Sequence, residues 1–384
     1  MIQIDDPKKC CGCTACASIC SHNAITMQPD ALGFLYPVVD PNKCTSCGLC
    51  EDVCAFNDHY DKSLNLAYPL AYAARHKNMQ EIETSRSGAA FIAISDWILE
   101  HGGVVYGAGY TDHFRVVHKR ATTKEERNEF KGSKYVQSDL NTVFRQVKRD
   151  LKQERIVLFS GTPCQTSGLA SYIGKRLREK LYLVDIVCHG VPGPYIWRDY
   201  LAYLEKTQGA KICWVNFRDK QKFGWKAHRE TFRFVGGGNK MIFTHLFYKH
   251  IMFRHSCGVC HFTNIQRPSD ITLADFWGWE KTDPKFNTDD KGVSLVLINT
   301  EKGQSLFEAV KKEMDLIPAH LENCLQPNMI HPTEIHSGRI KFEMDYSRKG
   351  FKYAMKKQGL IGWRHKAKIV KNKIGGFIHR LLKK

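Results

Sequence analysis

Cys10, Cys13, Cys16 and Cys20 are spaced C-x2-C-x2-C-x3-C, and Cys44, Cys47, Cys50 and Cys54 repeat that spacing 34 positions later. The repeat extends upstream, where Asp6-Pro7-Lys8-Lys9-Cys10 aligns with Asp40-Pro41-Asn42-Lys43-Cys44. Three thiolates within seven residues can wrap three corners of one cubane, because a tight turn between the x2 gaps points their sulfurs inward. Zinc sites instead pair two CxxC knuckles across a longer gap, and a disulfide knot needs export to an oxidising compartment. The pattern therefore points to two 4Fe–4S clusters. Cys11 is a ninth thiol in this stretch, and shifting the register onto it breaks the x2 spacing. It reads as a bystander.

The stretch resembles a bacterial dicluster ferredoxin. In that arrangement the fourth cysteine of each run lies beyond its own loop and ligates the other cluster. The resemblance implies one cluster on Cys10, Cys13, Cys16 and Cys54, and another on Cys44, Cys47, Cys50 and Cys20. Ser21 and Ala55 stand where the family often has a proline after the fourth cysteine. Residues 24–27 and 34–38 read as hairpin strands joined through Pro29 and Asp30.

With 384 residues the chain is too long for a ferredoxin alone and suggests two or three domains. Its 43% hydrophobic content suffices for a packed core. No apolar run approaches the roughly 18 residues of a membrane span. The first six residues lack the basic and apolar regions of a signal peptide. Together with 15 cysteines, this points to a reducing cytoplasm, where thiols serve metals or catalysis. The net charge of +18 is uneven: thirteen Lys/Arg and no acidic residue lie between Arg348 and Lys384. The rest of the chain is near +5, and no nucleic-acid module is recognisable, so no nucleic-acid partner is expected.

Of the elements that must carry these cysteines, residues 1–60 form the ferredoxin and residues 55–65 a polar linker. A mixed α/β region follows, read as parts 66–155 and 156–320, with an extension over 321–384. Strands are expected at 70–75, 104–110, 156–159 and 181–187. Helices are expected at 89–101, after residue 138 with Val143, Val147 and Leu151 on one face, and after Pro194. Residues 124–127 read as a charged turn. Residues 213–217 and 231–235 look β-like, and 293–299 with 306–310 look like a last strand and helix. Neither GxGxxG nor a P-loop is present, which disfavours a standard Rossmann or Walker nucleotide site.

Outside the ferredoxin, Cys164 and Cys188 follow consecutive expected strands, so a parallel sheet would bring them to one edge. Cys257 and Cys260 form a CxxC that could join them. The competing reading is that each is a small buried hydrophobe, and Cys213 and Cys324 read that way. Ser160 to Gln165, Val187 to Pro192, Phe217 to Lys220 with Trp225, the CxxC, and Ser269 to Gly278 resemble, in this order, the beta subunit of coenzyme F-420 hydrogenase/dehydrogenase. The likeness spans about Ala67 to Lys312. Members are FAD- and iron–sulfur-containing flavoproteins, some with a fused dicluster ferredoxin, and a plant hydroxymethyl-chlorophyll reductase is among them. The resemblance implies a third 4Fe–4S cluster on Cys164, Cys188, Cys257 and Cys260, and FAD.

The expected fold class is therefore α+β / α/β, a dicluster ferredoxin fold followed by a mixed α/β flavin-binding domain. Clusters move single electrons and hydride carriers move two, and a flavin converts between them. Ser87 and Gly88, at a helix N-terminus, are the expected diphosphate contacts. Lys131, Ser133 and Tyr135 would add a cation, a hydroxyl and a stacking ring. His189 is a candidate proton donor to a flavin or substrate, with a satisfied structural histidine as the competing reading. Arg218, Asp219 and Lys220 read first as a structural ion pair and second as contacts to an anionic substrate. Asp275, Phe276 and Trp277 would close the core beside the third cluster. The expected function is electron transfer between clusters, FAD and an organic hydride carrier or a redox partner protein. The alternative is a non-catalytic relay subunit of a larger complex. From Ile369 the tail alternates apolar and basic residues at helical spacing, as a helix on an anionic membrane surface would, leaving the protein cytoplasmic or peripheral to the inner face.

Overall fold

The 34-residue repeat folds as one local design used twice. In the computed structural model, whose described residues are 1–57, 59–235 and 242–362, Gly12 and Ser46 have φ of 72° and 54°, and Thr14 and Gly48 have φ of 66° and 80°. These left-handed turns curl each cysteine loop, and short helices Ala15–Ile19 and Leu49–Asp52 follow at matching positions. Strands β1 (Ile25–Pro29) and β2 (Leu35–Val39) pair antiparallel. Asp30 closes their turn by accepting from the Leu32 and Phe34 N–H groups at 2.9 Å.

The next region is built on an eight-stranded sheet. Its strands are β3 (Asn65–His76), β4 (Val104–Tyr110), β5 (Val116–Ala121), β6 (Val157–Gly161), β7 (Leu181–Ile186), then, past a separate antiparallel pair β8 (Ile212–Asn216) and β9 (Thr231–Phe234), β10 (Ile271–Asp275), β11 (Ser294–Thr300) and β12 (Met314–Ala319). The spatial order is β12-β3-β11-β10-β7-β6-β4-β5. The inner four strands, β10, β7, β6 and β4, are mutually parallel, and antiparallel strands flank them on both sides.

Alternation along the parallel strands sends side chains to two cores. Val104, Tyr106, Val157, Phe159, Leu181 and Leu183 pack on one face with the helices Val143–Lys152 and Pro163–Ile173. Val105, Leu158 and Val184 pack on the other with the helices Ala90–Glu100 and Glu301–Val310. A sheet covered on both faces explains the near-continuous apolar runs. A third core joins the helix Pro194–Gln208, the β8–β9 pair and the helix Arg339–Lys357 to Leu32 and Phe34 of the ferredoxin turn.

Three expectations are corrected. β3 begins at Asn65, not near residue 70, because its pairing with β11 skips irregularly between Ile298 and Thr300 and so accommodates Pro69, which has no N–H to give. Residues 124–127 belong to a short helix, Lys124–Asn128, capped by Thr123. The last strand and helix are not at 293–310: β12 pairs with β3, and the helix Arg339–Lys357 follows. β12 carries Asp315 and Pro318 and buries only Met314 fully, so it shows no apolar run. Residues 363–384, which hold most of the basic amphipathic tail, lie outside the described residues. Among the described residues no helix is long and apolar enough to cross a membrane.

Candidate functional site

In each ferredoxin loop a backbone amide points at a sulfur. Gly12 N–H donates to Cys10 Sγ and Ser46 N–H to Cys44 Sγ, both at 3.4 Å. Ala24 N–H reaches Cys20 Sγ at 3.4 Å and Ile2 N–H reaches Cys50 Sγ at 3.3 Å. Such donors favour sulfur in its thiolate form. Burial pushes Cys16 up, as do Cys13, Cys10 and Cys54 beside it. Cys54 likewise feels burial, Cys13 and Cys10. Cys54 therefore lies beside the Cys10 loop. Burying thiolates together costs energy unless a cation gathers them, and the iron of a 4Fe–4S cluster would be that cation. Among the described residues no three His, Cys, Asp or Glu side chains converge closely enough for a single metal ion.

Cys164 opens the helix Pro163–Ile173, immediately after β6, and Cys188 follows β7. The capping box of that helix, in which Gln165 Oε1 accepts from Thr162 N–H at 3.0 Å, sets the position of Cys164. Cys257 and Cys260 lie on the turn His255–Val259 and at its end. The four thiols are neighbours. Burial pushes Cys188 up, as do Cys257, Cys164 and Cys260. Burial likewise raises Cys257 to about 11 and Cys260 to about 12. The loop is anchored by Arg267, which donates to Phe262 O at 2.6 Å and pairs with fully buried Asp185 on β7 at 3.2 Å. Cys11 lies within hydrogen-bonding reach of Cys13 and Cys164, and its thiol pulls both of them down. It is a packed link between the ferredoxin and the second set of thiols. Cys213 is exposed and Cys324 buried.

A cavity of about 490 Å³ opens at the carboxyl ends of β6, β7 and β10, where open α/β sheets hold ligands. Ser87, Lys131, Ser133, Tyr135, Cys188 and His189 all line it. Gly88 does not: a Cβ there would lie 2.1 Å from Ala74 O, so its role is close packing on β3. The next residue, Ala89, holds φ of 64° and turns the start of the helix Ala90–Glu100 toward the cavity. The Ser87 hydroxyl donates to Val293 O at 2.5 Å, and Lys131 pairs with Glu81 at 2.5 Å. The Ser87 hydroxyl and the expected Lys131 cation are thus both engaged by protein. Tyr135 sits among Phe217, Phe247 and His228, with ring centroids 4.7–5.8 Å away.

The cations that dominate the wall come from elsewhere. Arg218 does not pair with Asp219, which caps the helix Lys220–Phe223. It pairs with Asp275 at 2.8 Å, and Arg86 shares the same carboxylate oxygen at 3.3 Å. Arg86 Nε and Nη1 are buried and have no hydrogen-bond partner. Among the described residues Lys134 donates only to carbonyls, Glu129 O at 2.7 Å and Lys131 O at 2.9 Å, and burial lowers it to about 7. Burial also lowers His228 to about 3, helped by Arg218 and Arg86, and its Nδ1 lies 2.5 Å from Tyr248 Oη. Phe276 is buried, but Trp277 is 38% exposed and lies stacked on Trp225 at 4.7 Å on the cavity wall. Arg86, Lys134 and His228 escape a reading of the sequence because single basic residues in loops carry no motif. Only the sheet topology gathers them.

Both ring nitrogens of His189 are occupied by protein groups. Nδ1 faces Asn328 Oδ1 at 2.9 Å and Nε2 faces His250 Nε2 at 2.8 Å. Asn328 donates its Nδ2 to Thr333, so its oxygen accepts and His189 Nδ1 donates. His250 Nδ1 donates to Glu334 O at 3.0 Å. The contact between the two Nε2 atoms is then a hydrogen bond when one of the rings carries an extra proton. Burial pushes His189 down, and the neighbouring His250 adds to that.

Residues 9–57 match the family model of the 4Fe-4S dicluster domain. Residues 154–323 match the family model of the C terminus of the coenzyme F420 hydrogenase/dehydrogenase beta subunit. No curated protein matches the chain. Among solved structures, the F420-reducing [NiFe] hydrogenase complex from Methanosarcina barkeri contains a chain that is similar at 15% identity with a TM-score of 0.47, the match covering 76% of this chain and 91% of that one. The chain thus carries, in order, a 4Fe–4S dicluster domain and a region that matches the C terminus of the coenzyme F420 hydrogenase/dehydrogenase beta subunit.

Proposed function

We propose that the chain passes electrons between its dicluster domain and an FAD held in the 490 Å³ cavity, through a third 4Fe–4S cluster on Cys164, Cys188, Cys257 and Cys260. The observation that carries the flavin reading is Arg86. A buried guanidinium with two nitrogens unpartnered and half a share in one carboxylate is costly unless an anion completes it. The diphosphate of FAD is such an anion, and bound flavin would supply the exchange between single electrons and a hydride. Arg86 and Lys134 hold the anion, the start of the helix Ala90–Glu100 adds backbone donors, and Trp277 with Tyr135 supplies ring surface. His228 and Tyr248, joined at 2.5 Å, are better placed than His189 to handle a proton at the cavity wall. The acceptor or donor outside the chain is a small hydride carrier, deazaflavin-like or other, or a redox partner protein.

Anaerobic purification with iron and flavin analysis tests this reading. About twelve irons and one FAD per chain are expected, and Arg86→Gln lowers FAD affinity about tenfold to a hundredfold, the loss of a charge-assisted hydrogen bond worth roughly 1.5–3 kcal/mol. Eight irons without flavin would instead favour the non-catalytic relay.

A further inference from the structure

Arg254 is 1% exposed and reaches into the ferredoxin. Its Nε donates to Cys10 O at 2.8 Å, Nη1 to Gln137 Oε1 at 3.0 Å, and Nη2 to Leu35 O at 2.9 Å and to Cys10 Sγ at 3.6 Å. Its face lies over Tyr36 at 4.2 Å. Among the described residues it has no carboxylate partner. A buried cation with only neutral partners is unstable unless a nearby anion balances it. With a cluster bound, the thiolates of the Cys10 loop would be that anion. The charge of Arg254 also reaches Cys13, Cys164 and Cys257.

The repeat itself records this residue. Gly12 and Ser46 are equivalent, with left-handed φ in both, yet only the first is glycine. A Cβ on Gly12 would lie 2.8 Å from Arg254 Nη1 and 3.0 Å from Leu35 O. The glycine lets the guanidinium cross the loop, and the serine in the other half leaves its loop uncrossed. The second loop is also wetter, with Cys47 exposed and Leu49 46% exposed.

We infer that Arg254 raises the reduction potential of the Cys10-loop cluster above that of the Cys44-loop cluster, so that electrons delivered at the exposed face run inward. Hydrogen bonds to the sulfurs, net charge and solvent exposure set such potentials. Burial alone would lower the potential of the Cys10 cluster, because reduction adds negative charge. The guanidinium opposes this with a full, fixed positive charge at hydrogen-bonding distance in the same dry surroundings. The step moves one electron from the Cys44-loop cluster to the Cys10-loop cluster, and no proton or bond changes hands. A one-electron donor protein docking at Cys47 supplies the electron. This inference rests on the two ferredoxin clusters and not on flavin in the cavity.

Redox titration of the full chain followed by electron paramagnetic resonance tests it, with Cys44→Ala used to assign the two signals. The Cys10-loop cluster is expected to reduce first in the wild type, with a midpoint independent of pH because arginine stays charged. Arg254→Met should shift the oxidised-to-reduced ratio of that cluster at least tenfold toward oxidised at fixed potential, about 59 mV for one electron, and leave the Cys44-loop cluster in place. Arg254→Lys should keep most of the wild-type potential. The inference is overturned if the Cys44-loop cluster reduces first, or if Arg254→Met titrates like the wild type. Should the Met variant lose iron, the wild-type order of reduction and the Lys variant still decide. Failure of flavin binding leaves these readouts untouched, so the two proposals fail separately.

Discussion

The two halves of the ferredoxin repeat share spacing, left-handed turns and amide-to-sulfur bonds, but they meet different neighbours. The Cys10 loop is wedged against the α/β region: Cys13 lies against Gly168, where a Cβ would come within 2.6 Å of its sulfur, and Gln137 donates to Cys11 O at 2.8 Å. The Cys44 loop carries an exposed Cys47. Local sequence thus builds two like cluster cradles, and tertiary contacts turn one into an inner station and the other into an outer one.

The largest effects should come from the crossing ligands. Cys54→Ser is expected to abolish the Cys10-loop cluster signal and Cys20→Ser the Cys44-loop signal, each with loss of up to about four irons, read by resonance and iron analysis. Loss of the signal from the mutated residue's own loop would break the assumed crossing, and with it the comparison. Next in size is Gly168→Leu, which drives a side chain into the packed contact with Cys13. Overpacking of this kind costs about 1–3 kcal/mol, and thermal unfolding should show it, with the Cys10-loop signal broadened and the Cys44-loop signal unchanged.

Arg145 braces the first half from outside. It donates to Ser18 O at 3.0 Å, Ala17 O at 2.9 Å, Cys20 O at 3.1 Å and Asn23 Oδ1 at 2.9 Å, closing the carboxyl end of the helix Ala15–Ile19. Arg145→Ala should cost about 1.5–3 kcal/mol and make the Cys44-loop cluster, whose crossing ligand is Cys20, the more labile to chelators.

The cavity offers a pH test. Burial lowers Lys134 to about 7, whereas a free lysine titrates near about 10.4. Between those values the unfolded chain binds more protons, so stability without an anion should rise with pH across that window. An anion favours the charged lysine, so pyrophosphate or FAD affinity should fall as pH rises above 7, by up to about tenfold per unit. A flat affinity from pH 7 to 9 would remove Lys134 from the site. The smallest structural effect belongs to Leu49→Ser, which should change stability by less than about 0.5 kcal/mol yet slow reduction by a donor protein if the Cys47 face is the docking side.

Much of the molecule is legible in its residues alone. The cysteine spacing marks the ferredoxin because cluster chemistry needs thiols at short fixed intervals, and β4 and the helix Ala90–Glu100 follow from apolar runs and from the Gly102-Gly103 stop. β12 escapes because an edge strand needs only one buried face, and β3 begins earlier than expected because a bulge lets Pro69 into a strand. Those are context effects that a local pattern does not carry.

Sequence by itself determined where the dicluster domain lies, since thiol identity and spacing are local properties. Only the tertiary structure decided what surrounds them. Arg254 lies 244 positions from Cys10, Arg86 lies 189 from Asp275, and Cys11 reaches Cys164 from the ferredoxin into the α/β region. Charge and burial act through space, and the fold alone sets those distances.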